Sequence, residues 1–251
     1  MKKIALVFSA LILILTSCSS DDENNSNQNL ILLKKSISTG LSGNVRTTDY
    51  VYDGNKIVSA TTGALKFNYY YTNDLITKIE ASYNQVVSDR ILFLYDNSQK
   101  LIEKTSVNLA DPEFLIKEKY EYNFDGTIDL SVYRINTGVQ DELIENIKYF
   151  IGNNQEIIKK ENYRTTGIEI TNYEYDNKNN IFKNVLNLKK LLRFDSNVFN
   201  CISYQTSVSG VVSSSTTSQF TYNSDGFPIT NSSTVVNGSS TDAFTIQHFY
   251  E

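Results

Sequence analysis

Over most of the chain apolar and polar residues alternate with a period of two, and clusters of Asn, Asp, Gly and Ser cut the alternation into short runs. Residues two apart in a strand share a face, so the pattern predicts half-buried β-strands joined by tight turns. The clearest unit is Tyr120-Glu121-Tyr122-Asn123-Phe124-Asp125-Gly126-Thr127-Ile128-Asp129-Leu130: an aromatic pair, a polar turn with Gly, then an alternating apolar run. The pair recurs at Tyr50/Tyr52, Tyr69/Tyr71, Phe93/Tyr95, Tyr149/Ile151, Tyr173/Tyr175, Phe220/Tyr222 and His248/Tyr250. Its second members lie 19 to 29 residues apart, except for a gap of 47 between Tyr175 and Tyr222.

A turn follows each internal pair, as at Asp53-Gly54-Asn55, Asn73-Asp74, Asp96-Asn97-Ser98, Gly152-Asn153-Asn154, Asp176 to Asn180 and Ser224-Asp225-Gly226. Asn, Asp and Gly tolerate the positive φ of tight hairpins. Apolar residues such as Ile57, Leu75, Leu101, Ile157, Ile181 and Phe227 then lead away from it, so each unit is expected to be two strands. The fold class is therefore all-β: a long antiparallel meander of about 14 to 16 strands, strongly twisted or curled into a single sheet or a barrel-like shape. Both aromatics of a pair face the same side and form a band, expected to bury its rings and keep its hydroxyls at a wet edge.

Two stretches depart from the pattern. Between Asn184 and Ser203 the alternation stops, and Val185, Leu188, Leu191 and Leu192 fall at helix-like spacing. A short helix or ordered loop near residues 184–200 is expected to cover the sheet's apolar face. Ser207 to Ser218 and Asn231 to Thr241 are rich in Ser, Thr and Val and read as polar hairpins, the most exposed part of the domain.

Tyr50-Val51-Tyr52-Asp53-Gly54, Tyr120-Glu121-Tyr122-Asn123, Tyr173-Glu174-Tyr175-Asp176 and Phe220-Thr221-Tyr222-Asn223-Ser224-Asp225-Gly226-Phe227 resemble the YD repeat of Rhs-type proteins. The resemblance covers roughly residues 47–251. Gly is missing from the turns after Tyr71, Tyr95 and Tyr175, and Ile151 replaces a second Tyr. In large Rhs proteins such repeats form a shell around a toxin; this chain is too short for a shell, so the resemblance implies hairpin architecture only.

The N-terminus carries an address. Lys2 and Lys3 precede an apolar run, Ile4 to Leu15, that is shorter than the roughly 20 residues of a spanning helix. Leu15-Thr16-Ser17-Cys18 resembles the bacterial lipobox, which implies cleavage after residue 17 and acylation of Cys18. Asp21-Asp22-Glu23 resembles the export signals of surface lipoproteins in Bacteroidota, and with the YD-like repeats the chain resembles a group of Bacteroidota lipoproteins. The expected organisation is a signal peptide at 1–17, an acidic and Asn-rich tether at 18–29 and one β domain at 30–251. That places the protein at the outer membrane, lipid-anchored and facing the cell surface.

Charge narrows the partners. Without Lys2 and Lys3 the net charge falls from −5 to −7, which argues against nucleic acid. His248 is the only His and occupies the slot of an aromatic, so a core position is expected rather than a catalytic base. Cys201 is the sole Cys after Cys18 and reads as a buried thiol. Asp176 to Asn180 resembles the start of a calcium loop, but Lys178 stands at a ligand position and Asn187 where a closing Glu belongs. No catalytic residue, metal ligand or cofactor site is assigned, and the only site residue is Cys18. The functional expectation is a non-enzymatic binding module for a glycan or protein. The alternatives are an envelope assembly component acting by strand addition at a sheet edge and, more remotely, a carboxylate-based hydrolase.

Overall fold

A computed structural model describes residues 30–136, 139–192 and 197–251. The signal segment 1–17 and the tether 18–29, with Cys18 and the acidic cluster, lie outside the described residues. The strands are β1 (Leu33–Gly40), β2 (Val45–Asp53), β3 (Lys56–Thr62), β4 (Leu65–Thr72), β5 (Leu75–Tyr83), β6 (Val86–Tyr95), β7 (Leu101–Asn108) and β8 (Phe114–Tyr122). They continue as β9 (Ile128–Asn136), β10 (Glu142–Ile151), β11 (Ile157–Arg164), β12 (Gly167–Tyr175), β13 (Cys201–Val208), β14 (Val211–Tyr222), β15 (Pro228–Asn237) and β16 (Ser240–Tyr250).

Each strand pairs antiparallel with its neighbours in sequence, and β1 also pairs with β16, so the meander closes into a barrel. Closure corrects the assembly expectation. A closed barrel has no bare edge strand, so strand addition has nowhere to occur among the described residues.

The aromatic pairs point into the lumen, as the packing of Tyr50, Tyr52, Tyr69 and Tyr71 on the buried cluster illustrates. Rings of Tyr50, Tyr52, Phe67, Tyr69, Tyr71, Tyr95, Tyr122 and Tyr149 pack on a buried set that includes Ile57, Ile76, Ile79, Phe93, Leu101, Tyr120, Ile128 and Leu130. A register shift falls at Tyr52, Tyr71, Tyr95, Ile151, Tyr175 and Tyr222, so the second aromatic position of these repeats is also a bulge that sharpens the local twist.

The tyrosine hydroxyls correct the wet-edge expectation. Tyr52, Tyr95, Tyr122, Tyr175 and Tyr250 donate to the carbonyls of Leu33, Ile76, Leu101, Ile157 and Pro228 at 2.9, 2.7, 3.1, 2.8 and 2.6 Å. Tyr71 instead accepts from the Ile57 N–H at 3.2 Å. Each bond clasps the end of an even-numbered strand to the start of the strand before it. Burial pushes the Tyr71 and Tyr122 phenols up to about 12, so they remain protonated in these bonds.

The outward face mixes charged and polar residues with exposed apolar side chains such as Val51, Leu92, Leu94, Ile168 and Phe249. Mid-strand charges pair across it: Glu80 with Lys78 and Arg90, Glu103 with Lys117, Asp129 with Lys148 and Glu161 with Lys159. On β14 to β16 the outward positions carry Thr217, Gln219, Thr221, Thr230, Ser232, Thr234, Thr245 and Gln247. A membrane-spanning barrel presents an apolar band to lipid, where a lysine or arginine at the midplane costs roughly 2 to 4 kcal/mol each. The charge pairs on this wall depart from such a band, while exposed apolar residues such as Leu92 and Leu94 lie among them.

The expected cover at 184–200 is present as a plug. After Tyr175 the chain does not turn into a hairpin: Ile181 opens a series of turns, and Leu188–Leu191 forms a single 3-10 turn. The plug buries Val185, Leu188 and Leu191 against the aromatic band. The Asn184 amide donates to the Ile31 carbonyl, the Leu186 N–H to Asn55 and the Asn187 amide to Asp74. The plug thereby ties the turns at this barrel end to the start of the described chain, where Leu32 and Glu251 also bond to each other. The Ser/Thr hairpins are exposed along Ser209 to Ser213 and Val236 to Asp242, as expected, and turn Thr216, Asn231 and Ser233 inward, where they are buried.

Candidate ligand-binding cavity

With one end plugged, the lumen opens at the other. There a cavity of about 770 Å³ lies among β4 to β9. Leu65, Phe67, Ala81, Ile91 and Ile116 form its apolar part, and Asp89, Ser106, Asn108 and Arg134 bring polar groups to it. Register explains the grouping: Ala81 faces Asp89, Asp89 faces Asn108 and Ile116 faces Arg134, so one inward phase supplies a side chain from each strand. The volume lies within the roughly 300 to 1,000 Å³ of small-molecule pockets, which are apolar with a few polar groups.

The polar groups differ in how they are held. Arg134 donates to Glu142 at 3.0 Å, and the Asp89 carboxylate accepts from the Ser88 hydroxyl at 2.7 Å. One rung deeper, Lys104 donates to Glu118 at 2.6 Å, and the Tyr120 hydroxyl donates to the same carboxylate at 2.6 Å. This triad is internally satisfied. An aromatic face beside carboxylate, amide and guanidinium groups is suited to a polar molecule with apolar faces, such as a sugar.

Residues weighed for chemistry fall elsewhere. His248 is buried on β16, with Nε2 3.2 Å from the Asn231 Oδ1 and Nδ1 without a partner. Burial lowers its pKa to about 4, so it is neutral at pH 7. Cys201 is half-buried, its thiol contacting the Ser203 carbonyl at 3.3 Å, and burial pushes it up to about 11. Asp176 is committed to the loop that leads into the plug, where it accepts from the Lys178 N–H, the Asn200 N–H and amide, and the Tyr222 hydroxyl. Among the described residues no group of three His, Cys, Asp or Glu side chains is placed to hold a metal ion. Cys18 lies outside the described residues. Sequence reasoning missed Phe67, Asp89, Asn108 and Arg134; the only available signal was their shared inward phase, counted strand by strand from each turn.

No family model matches the chain, and no curated protein matches it. Solved structures do. A porin-like protein from Bacteroides uniformis is 10% identical, with a TM-score of 0.55 over 87% of this chain and 98% of that one. A porin-like protein from Bacteroides vulgatus is 13% identical, with a TM-score of 0.56 over 88% and 98%. At these identities the likeness is one of fold: a closed antiparallel barrel of this size.

Proposed function

We propose that this chain is a YD-repeat-like outer-membrane lipoprotein, anchored through Cys18, whose barrel stands beside the bilayer as a non-enzymatic binding module. The observation that carries this reading is a blind cup: a closed barrel with charge pairs on its outer wall, plugged at the end where the described chain begins, with a mixed apolar and polar cavity at the other. If the tether leads from the plugged end to the membrane, the open mouth points away from it. The porin-like neighbours support an outer-membrane address, while the charge pairs on the outer wall support attachment over insertion. A short glycan is the ligand class that best fits Phe67 beside Asp89, Asn108 and Arg134.

A non-enzymatic role is supported by the state of the candidate groups. His248 is buried away from the cavity, Glu118 is held by Lys104 and Tyr120, and Asp89 is the only carboxylate lining the cavity. Screening the purified protein against a glycan array tests the reading. Ligands that bind the native protein should lose about tenfold or more in affinity with Phe67→Ala and with Asp89→Asn. Binding unchanged in both variants would remove the mouth from the account.

A further inference from the structure

A second cavity, of about 420 Å³, lies under the plug at the opposite end. It sits where the repeat is broken. Ile151 occupies the second aromatic position of its pair, and its structural equivalents at 95, 122 and 175 are tyrosines that clasp the strand before them. A tyrosine at 151 would reach the Ile128 carbonyl by the same geometry. Ile151 and Ile128 both line the cavity, together with Leu101, Ile157 and Leu192, so the space coincides with the missing phenol.

The rim is cationic. Lys100, Lys189 and Lys190 line the cavity, the first with its ammonium 4.7 Å from the Tyr122 ring centroid. Lys189 donates to the Gln155 amide oxygen at 3.1 Å and Lys190 to that of Gln99 at 2.6 Å. None of the three forms an ion pair among the described residues, in a chain that pairs eleven other bases with acids. Glu156 also lines the cavity, and it is nearly inaccessible at 3% exposure. Its Oε1 accepts from the Val198 and Phe199 N–H groups, and its Oε2 has no partner. Burial raises the pKa of this carboxyl.

We infer that this cavity binds a free anionic amphiphile of the fatty-carboxylate class, with its chain in the space opened by Ile151 and its head among Lys100, Lys189 and Lys190. The apolar walls select the chain, and three ammonium groups without an ion pair among the described residues select the sign of the head. This site is separate from the mouth and stands or falls independently of it.

Calorimetric titration of the purified protein with dodecanoate, below its micellar concentration, tests the inference, with dodecyltrimethylammonium as the opposite-charge control. The expected result is one molecule of dodecanoate per chain and at least tenfold weaker binding of the cation. Ile151→Tyr, which restores the repeat residue and fills the space, should abolish binding while the thermal midpoint stays level or rises. The surface pair Lys189→Gln with Lys190→Gln should weaken dodecanoate about tenfold without touching the packed interior. No dodecanoate binding, equal binding of both amphiphiles, or binding insensitive to both sets of substitutions would overturn it. Vesicles containing an anionic phospholipid form a further arm: capture on vesicles without dodecanoate binding would assign the lysines to a bilayer surface and also overturn the proposal.

Discussion

At the scale of single residues, His248 makes the sharpest claim. Its ring is buried, and its pKa falls from 6.5 to about 4 because burial disfavours the imidazolium. The unfolded chain therefore takes up a proton below about pH 6.5 that the folded barrel refuses, and stability is lost as pH drops through that window. The full effect is about 3 kcal/mol. Urea unfolding at pH 7 and pH 4.5 should show this loss in the native protein, and His248→Gln should remove most of it; equal loss in both would place the acid sensitivity elsewhere. The tyrosine clasps carry a second residue-scale expectation. Tyr122→Phe keeps the ring but strands the Leu101 carbonyl, and should destabilise by about 1 to 2 kcal/mol in denaturant titrations. Glu156 has the opposite pH sign to His248. Its raised carboxyl pKa favours folding fully below about 4.5, and that contribution is lost as pH rises through the folded value. Glu156→Gln should hence leave neutral-pH stability unchanged or raised.

At the scale of elements, the hairpins and the plug were legible to different degrees. Alternation and paired aromatics marked most strands because those features are local. Turns lacking Gly still formed, since Asn73 and Asp74 take φ of 48° and 67° and Gln99 takes 61°, conformations that the hairpin requires and that Asn and Asp tolerate best. The turn after Tyr175 misled, because Asp176 organises a loop through Asn200, a partner too distant in sequence to show in a local pattern. Loss of alternation did mark the plug. Its apolar residues lie in the aromatic band, so Leu188→Ala should cost about 2 to 5 kcal/mol. A cost below 1 kcal/mol in equilibrium unfolding would mean that the plug rests on the barrel without being part of its core.

At the scale of the whole molecule, closure and the mouth were the features least visible in the chain. The bond between β1 and β16 joins residues more than 200 positions apart, and the mouth draws Phe67, Asp89, Asn108 and Arg134 from separate strands at positions no repeat distinguishes. The direction of the apolar face was equally hidden, because alternation fixes two faces without saying which is inside. It is that direction which separates a barrel in the membrane from one held beside it. Paired charges at Glu80, Arg90, Glu103 and Lys117 lie on the outer wall beside the exposed Leu92 and Leu94. The decisive measurement is the fractionation of cells making the native chain or Cys18→Ala, followed by carbonate extraction of the membranes. The expected result is membrane-bound native protein and a Cys18→Ala form recovered folded in the soluble fraction without detergent. A Cys18→Ala barrel that stays folded in the membrane and resists carbonate would contradict it.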